Sequence, residues 1–258
     1  MTLSADNLVV QGFWHGPLTT MERLSMRSFL ANGHEFHLYS YYDLEGVPSG
    51  VIVEDAVEIL PYSRLADFRC PQQFSDLFRI ALLHQRGGWY SDLDNVCLRP
   101  LDFAEPQVFY RDFDESTVSF ALSKAPAGAD FLQAALDHVN RLTPAQLASL
   151  PWQAIGSDLA CGVVNAFGLD RFAAHGVTFD PVRWDRARLV VDPAATWDLA
   201  DSYSLHLFHA IWNAGPSDRQ GKGFDLGQPA GPWLDTDAEY PANCLYEQLK
   251  RRYLNDAA

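Results

Sequence analysis

Positive charge is scarce in this sequence. Across 258 residues, 19 lysines and arginines stand against 33 aspartates and glutamates, for a formal charge of −14. Nucleic acids and anionic membrane surfaces reward a basic face, so neither is expected as a partner. Cysteine is also sparse: Cys70, Cys97, Cys161 and Cys244 are far apart and form no CxxC pair. That spacing indicates neither a zinc cluster nor a disulfide framework, and reduced thiols in a cytoplasmic protein are the expectation. No apolar run approaches the length of a membrane helix, and the N-terminal MTLSADNLVVQGFWHG lacks the basic region and apolar core of a signal peptide. A soluble chain is expected. A glycine-rich loop followed by lysine, the usual cradle for phosphates in phosphoryl- and nucleotidyl-transfer enzymes, is missing as well. Linkers, repeats and low-complexity tracts are absent, so one domain over residues 1–258 is expected.

What the chain does have is enough apolar material for a large core, at 48% hydrophobic residues. LVVQGFW (8–14) reads as a strand ending at Trp14, with Gly16-Pro17 as a turn. Leu18, Met21, Leu24, Met26, Phe29 and Leu30 give a helix over 18–31, stopped near Asn32-Gly33, and EFHLYSY (35–41) is a second strand. Strand, helix, strand at this spacing predicts a βαβ unit, hence an α/β fold with a mostly parallel central sheet flanked by helices. Further strands are predicted at 107–112 and 117–123, with a helix over 129–142. Ser157 or Asp158 is expected to cap a helix in 152–168. A long loop is expected over 213–241, then a closing helix over 242–256.

The most informative stretch is QQFSDLFRIALLHQRGGWYSDLDNVCLRPL, residues 72–101. Phe74, Leu77, Phe78, Ala81 and Leu82 recur at helical spacing behind Pro71, and Gly87-Gly88 ends the helix and turns the chain into a strand. If that strand continues through Asp92 and Asp94, the two carboxylates share one side while Leu93 enters the core. Paired acids at a buried strand end repel one another, and a divalent cation relieves the repulsion. Their oxygen ligands favour Mg2+, Mn2+ or Ca2+ over zinc, and Mn2+ or Mg2+ commonly bridges one or two carboxylates to substrate phosphates. Two other Asp-x-Asp runs, at Asp112 and Asp235, lack this context and read as solvated loop acids.

Asp76-x-x-Arg79 followed by Gly87-Gly88-Trp89-Tyr90-x-Asp92-x-Asp94 resembles the sugar-binding region of the DXD-containing glycosyltransferases. That family includes α-1,4-galactosyl- and N-acetylglucosaminyltransferases, bacterial capsule and lipopolysaccharide enzymes, and the catalytic domains of clostridial glucosylating toxins. The resemblance implies a GT-A-like fold with a Rossmann-like nucleotide-binding half and acceptor-side helices. The implied activity is metal-dependent, configuration-retaining transfer of a hexose from a nucleotide diphosphate sugar, UDP-linked by expectation, to a carbohydrate hydroxyl in surface polysaccharide or lipopolysaccharide synthesis.

By the same resemblance Asp76, Arg79, Tyr90 and Asp92 bind the donor sugar, Trp14 binds the nucleotide, and Asp92, Asp94 and His206 hold the metal. Bland readings stand beside these. Trp14 would equally plug the rim of the core, Tyr90 would serve as a buried strand tyrosine, and Asp76 with Arg79 would form a surface ion pair. His206 lies in YSLHLFHAIW (203–212), which resembles a His-Leu-Trp-Asn signature with Phe208-His209 replacing Trp-Asn. It reads as a ligand or as a satisfied core histidine. No nucleophile can be named. The alternative function is a non-catalytic protein that binds nucleotide sugars or carbohydrate on the same fold.

Overall fold

The computed structural model describes residues 3–113, 115–212 and 234–255. Its strands are β1 (Val9–Phe13), β2 (Glu35–Ser40), β3 (Val51–Asp55), β4 (Gly88–Ser91), β5 (Asn95–Cys97), β6 (Val108–Arg111), β7 (Val118–Ala125), β8 (Ala173–Ala174) and β9 (Ser204–His206). The helices are α1 (Ala5–Leu8), α2 (Thr20–Ala31), α3 (Pro71–Arg86), α4 (Asp130–Asn140), α5 (Pro144–Ser149), α6 (Ser157–Ala166), α7 (Gly176–Phe179), α8 (His209–Trp212) and α9 (Leu245–Leu254).

Seven strands form one sheet in the order β3-β2-β1-β4-β7-β6-β8, and only β7 runs against the rest. The mixed α/β class read from the sequence is the one observed. From β1 the chain builds outward through β2 to β3, then returns to lay β4 on the other side of β1, with Val10 beside Trp89 and Gln11 beside Tyr90. This reversal is a topological switch point, where open α/β sheets form a crevice beyond the carboxyl ends of their strands. Trp14 leaves β1 and Asp92 leaves β4 at that crevice.

Alternation along the strands splits the core between two faces. Tyr90 and Phe13 join α3, α4 and α6 on one side, where the Phe13 and Phe78 rings stack at 4.1 Å. Trp89 and Val10 join Met26 and Phe29 of α2 on the other. The residues expected on the inner stripe of α3, from Phe74 to Leu82, are all buried.

Gly87 closes α3 differently from the expected left-handed cap. Its N–H still donates to Leu83, but its backbone sits at φ 66°, ψ −166°, a region essentially confined to glycine. A Cβ there would lie 2.6 Å from the backbone nitrogen of Ala127. Helix α2 begins at Thr19 with a capping box to Glu22. Helix α6 corrects another expectation: Gly156 occupies its N-cap and no side chain caps it, so neither Ser157 nor Asp158 has that task. The predicted loop over 213–241 falls mainly on 213–233, outside the described residues.

Two outcomes follow for stability. Gly87→Ala should lower the unfolding free energy by about 3 kcal/mol in denaturant titration, since strain and a backbone clash act together. His34 is buried with Nδ1 2.9 Å from the Asn7 carbonyl, while Nε2 accepts from Leu101 N–H, so the folded state holds the neutral ring. Burial lowers its pKa from the ordinary 6.5, so the unfolded chain takes up the proton first. Stability should be intact above about pH 6.5 and fall as pH drops below it, with a shallower fall in His34→Gln.

Candidate active site at the sheet switch point

Strand β4 ends at Ser91, so Asp92 and Asp94 lie in a turn rather than on extended chain, which corrects the alternation argument. The Asp92 carbonyl accepts from Asn95 N–H at 3.2 Å, closing the turn, and Asp92 N–H donates to the Ala121 carbonyl at 2.7 Å. Leu93 between them is buried, as expected. The turn carries the two carboxylates toward different partners.

Asp92 faces α3. Nη2 of Arg79 lies 2.9 and 2.7 Å from the two Asp92 oxygens and 3.1 Å from Asp76 Oδ1, and the Tyr90 hydroxyl donates to Asp92 Oδ1 at 3.0 Å. The guanidinium also lies over the Tyr90 ring, 5.2 Å from its centroid. Arg79 is only 8% exposed, so the surface ion pair is excluded: this is a sequestered cation between two acids. Burial pulls the Arg79 pKa down, but Asp92 and Asp76 outweigh it and keep the group charged. Burial pushes Asp76 up to about 7, against the pull of Arg79, and pushes Asp92 up as well. Gly156 makes room for Asp76, because a Cβ there would lie 3.0 Å from Asp76 Oδ2.

Asp94 faces the C-terminal part of the chain. Strand β9 pairs antiparallel with β5, Asn95 opposite His206, and Leu207 N–H donates to the Asp94 carbonyl. His209 N–H then donates to Asp94 Oδ2 at 2.9 Å, and His206 Nε2 lies 3.2 Å from Asp94 Oδ1. Burial alone would raise the Asp94 pKa, but the His206 charge holds it well below the carboxylate range. Burial likewise lowers His206, while Asp94 brings it up to about 9. Tyr110 OH lies 3.4 Å from His206 Nδ1, and the Phe208 ring stacks on the imidazole at 3.9 Å. Trp14 donates through Nε1 to the Pro17 carbonyl, and its indole lies nearly parallel to the His209 ring at 5.9 Å.

The structure thus brings Asp76, Arg79, Tyr90 and Asp92 into one contact group, and Asp94 and His206 into another beside it. His209 links Trp14 to the second. Two acids missed in the sequence belong here. Asp180 is 4% exposed, its Oδ1 is buried without a hydrogen bond, and burial pushes its pKa up to about 7 against the pull of His206. Nothing in Asp180-Pro181 distinguishes it from a turn. Glu22 was not singled out either; the one signal it carries is the Thr19-x-x-Glu22 capping spacing, and it is wholly buried beside His209. The other Asp-x-Asp runs have local tasks. Asp112 accepts from Thr117 N–H, and Asp237 accepts from Thr20 N–H at the start of α2.

Among the described residues no three His, Cys, Asp or Glu side chains form a ready-made metal cage. The donors nonetheless suit a hard cation. Asp94 Oδ1 is buried without a well-aligned hydrogen bond, as is Asp180 Oδ1, and Mg2+ or Mn2+ typically takes one or two carboxylates plus phosphate and water. Asp92 is the more committed acid of the pair.

Residues 33–111 match the family model described as "Glycosyltransferase sugar-binding region containing DXD motif". This segment is similar to the sugar-binding region of the DXD glycosyltransferases. Asp76, Arg79, Tyr90, Asp92 and Asp94 fall inside the matched residues, whereas Trp14 and His206 lie outside them. Among solved structures, "PaToxG Glycosyltransferase" is similar at 14% identity and a TM-score of 0.45, covering 95% of this chain and 86% of that one. No curated protein matches.

The Arg79 cluster yields a direct test. Arg79→Met should destabilise the protein by about 3–5 kcal/mol in chemical denaturation, because Asp76 and Asp92 are left buried without their shared counter-charge. A loss below about 1 kcal/mol would show that the cluster is not holding α3 against β4.

Proposed function

We propose that the chain transfers a hexose from a nucleotide diphosphate sugar, UDP-linked, to a carbohydrate hydroxyl with retention of configuration. The observation that carries this reading is the buried Asp94 Oδ1 at the switch-point crevice, which faces His206 but has no well-aligned hydrogen bond, beside an acid already paired with Arg79. Trp14 offers an aromatic face to the base, where the first strand delivers it. Asp76 accepts hydrogen bonds from donor hydroxyls, and Arg79 fixes Asp76 and Asp92 in place for that task. His206 Nε2 lies 3.2 Å from Asp94 Oδ1, within reach of a cation bound there. Asp94, with Asp92 and His206 beside it, would hold Mn2+ or Mg2+, which when bound supplies Lewis-acid neutralisation of the leaving diphosphate.

The same reading takes residues 1–258 as one domain working in the cytoplasm on surface polysaccharide or lipopolysaccharide. The four unpaired cysteines agree with a reducing compartment, and no helix among the described residues is long and apolar enough to cross a membrane.

Asp94→Asn should cut Mn2+-dependent hydrolysis of UDP-sugars at least about 100-fold while leaving the circular dichroism spectrum intact. Chelation should abolish turnover by the unaltered protein, and added Mn2+ should restore it. Turnover that survives both the substitution and the chelator would remove the metal and Asp94 from the reaction.

A further inference from the structure

Glu22 does more than cap a helix. Its Oε2 accepts from the Thr19 backbone N–H and hydroxyl, at 2.6 and 2.5 Å, which completes the capping box. That task needs one oxygen, and a capping glutamate ordinarily keeps the other in water. Here the residue is 0% exposed and Oε1 has no hydrogen bond. What faces Oε1 is His209, with Nδ1 at 3.3 Å. Withdrawing a carboxylate from water is costly unless a partner compensates it, so the cap does not account for this burial and His209 does.

His209 in turn touches two parts of the site. Its ring lies against the Trp14 indole, whose other anchor is the Pro17 carbonyl, and its backbone N–H holds Asp94 Oδ2. The residue before it, Phe208, adopts φ +55°, a conformation rarely taken by a bulky side chain and one that marks a functional constraint. That geometry lets one short segment place the Phe208 ring on His206 and the His209 N–H on Asp94.

We propose that Glu22 is a positioning residue: through His209 it sets the Trp14 wall and the amide that clamps Asp94 as one unit for nucleotide binding. This rests on the donor assignment above. Neutralising Glu22 releases the His209 ring from its partner, Trp14 loses its backing, and nucleotide affinity falls more than the chemical step does.

Glu22→Gln keeps the side-chain length and an oxygen for the cap. With UDP and Mn2+ as the probe in calorimetric titration, its Kd should rise about tenfold or more, and KM for UDP-sugar hydrolysis should follow while kcat stays within about threefold. His209→Ala, which leaves the cap untouched, should show the same rise, and the double variant should bind no worse than either single one, as coupled residues do. Unchanged UDP affinity in either single variant, or losses that multiply in the double variant, would overturn the proposal. A readout without nucleotide separates this from the donor assignment. The His209 ring nitrogen signals, identified by their loss in His209→Ala, should shift in ligand-free Glu22→Gln. If the unaltered protein binds no UDP, the donor assignment fails, whereas an unmoved His209 signal refutes the Glu22 proposal.

Discussion

A guanidinium almost closed off from water lies between a carboxylate on helix α3 and another in the turn after strand β4, and the local architecture follows from that placement. Removing an arginine from water is tolerable only where carboxylates compensate its charge, and Asp76 and Asp92 both do so at Nη2. The helix and the strand must therefore keep their relative position, and the two glycines that join them cannot relax. Tyr90 completes the arrangement from below with its hydroxyl on Asp92 and its ring under Arg79.

This neutralisation is uneven, and the unevenness has a chemical consequence. Asp76, Asp92, Asp94 and Asp180 gather around two cations, Arg79 and His206, and burial pushes all but Asp94 toward the protonated form. Arg79 answers to Asp92 and Asp76; His206 answers mainly to Asp94. In the proposed reading a divalent cation favours the ionised acids and offsets the charge of the diphosphate it would carry. An acidic protein can in this way hold an anionic nucleotide without a basic surface.

Much of the nucleotide-side architecture was legible in the sequence because it is local. The apolar period of α3, the Gly87-Gly88 stop and the β1-α2-β2 alternation each depend on residues within a few positions of one another, and each appears where expected. The pairing of Asp76 with Arg79 was also visible as a one-turn spacing, though not its burial, since only the packing of α3 on β4 removes water from it. The geometry of Asp92 and Asp94 was misread as extended strand because the strand-forming Trp89-Tyr90 runs straight into them, although Ser, Asp and Asn are residues that turns favour. Asn95 and Ala121 decide that turn through hydrogen bonds, one of them from a distant strand. Asp180 and Glu22 were not singled out as site residues because a carboxylate becomes chemically distinctive only when the fold buries it.

The sequence by itself determined the α/β class and the helix-glycine-strand segment, since these are written in periodicity and in short-range order, and its resemblance to a known motif singled out Asp76, Arg79, Asp92 and Asp94. Tertiary structure alone decided that Asp94 meets His206 and His209 rather than Arg79. A ladder between β5 and β9 joins residues more than a hundred positions apart, and no local propensity specifies such a pairing. It is specified by burial: Val96 and Leu205 face the same apolar cluster, and satisfying that core brings the histidines to the acid.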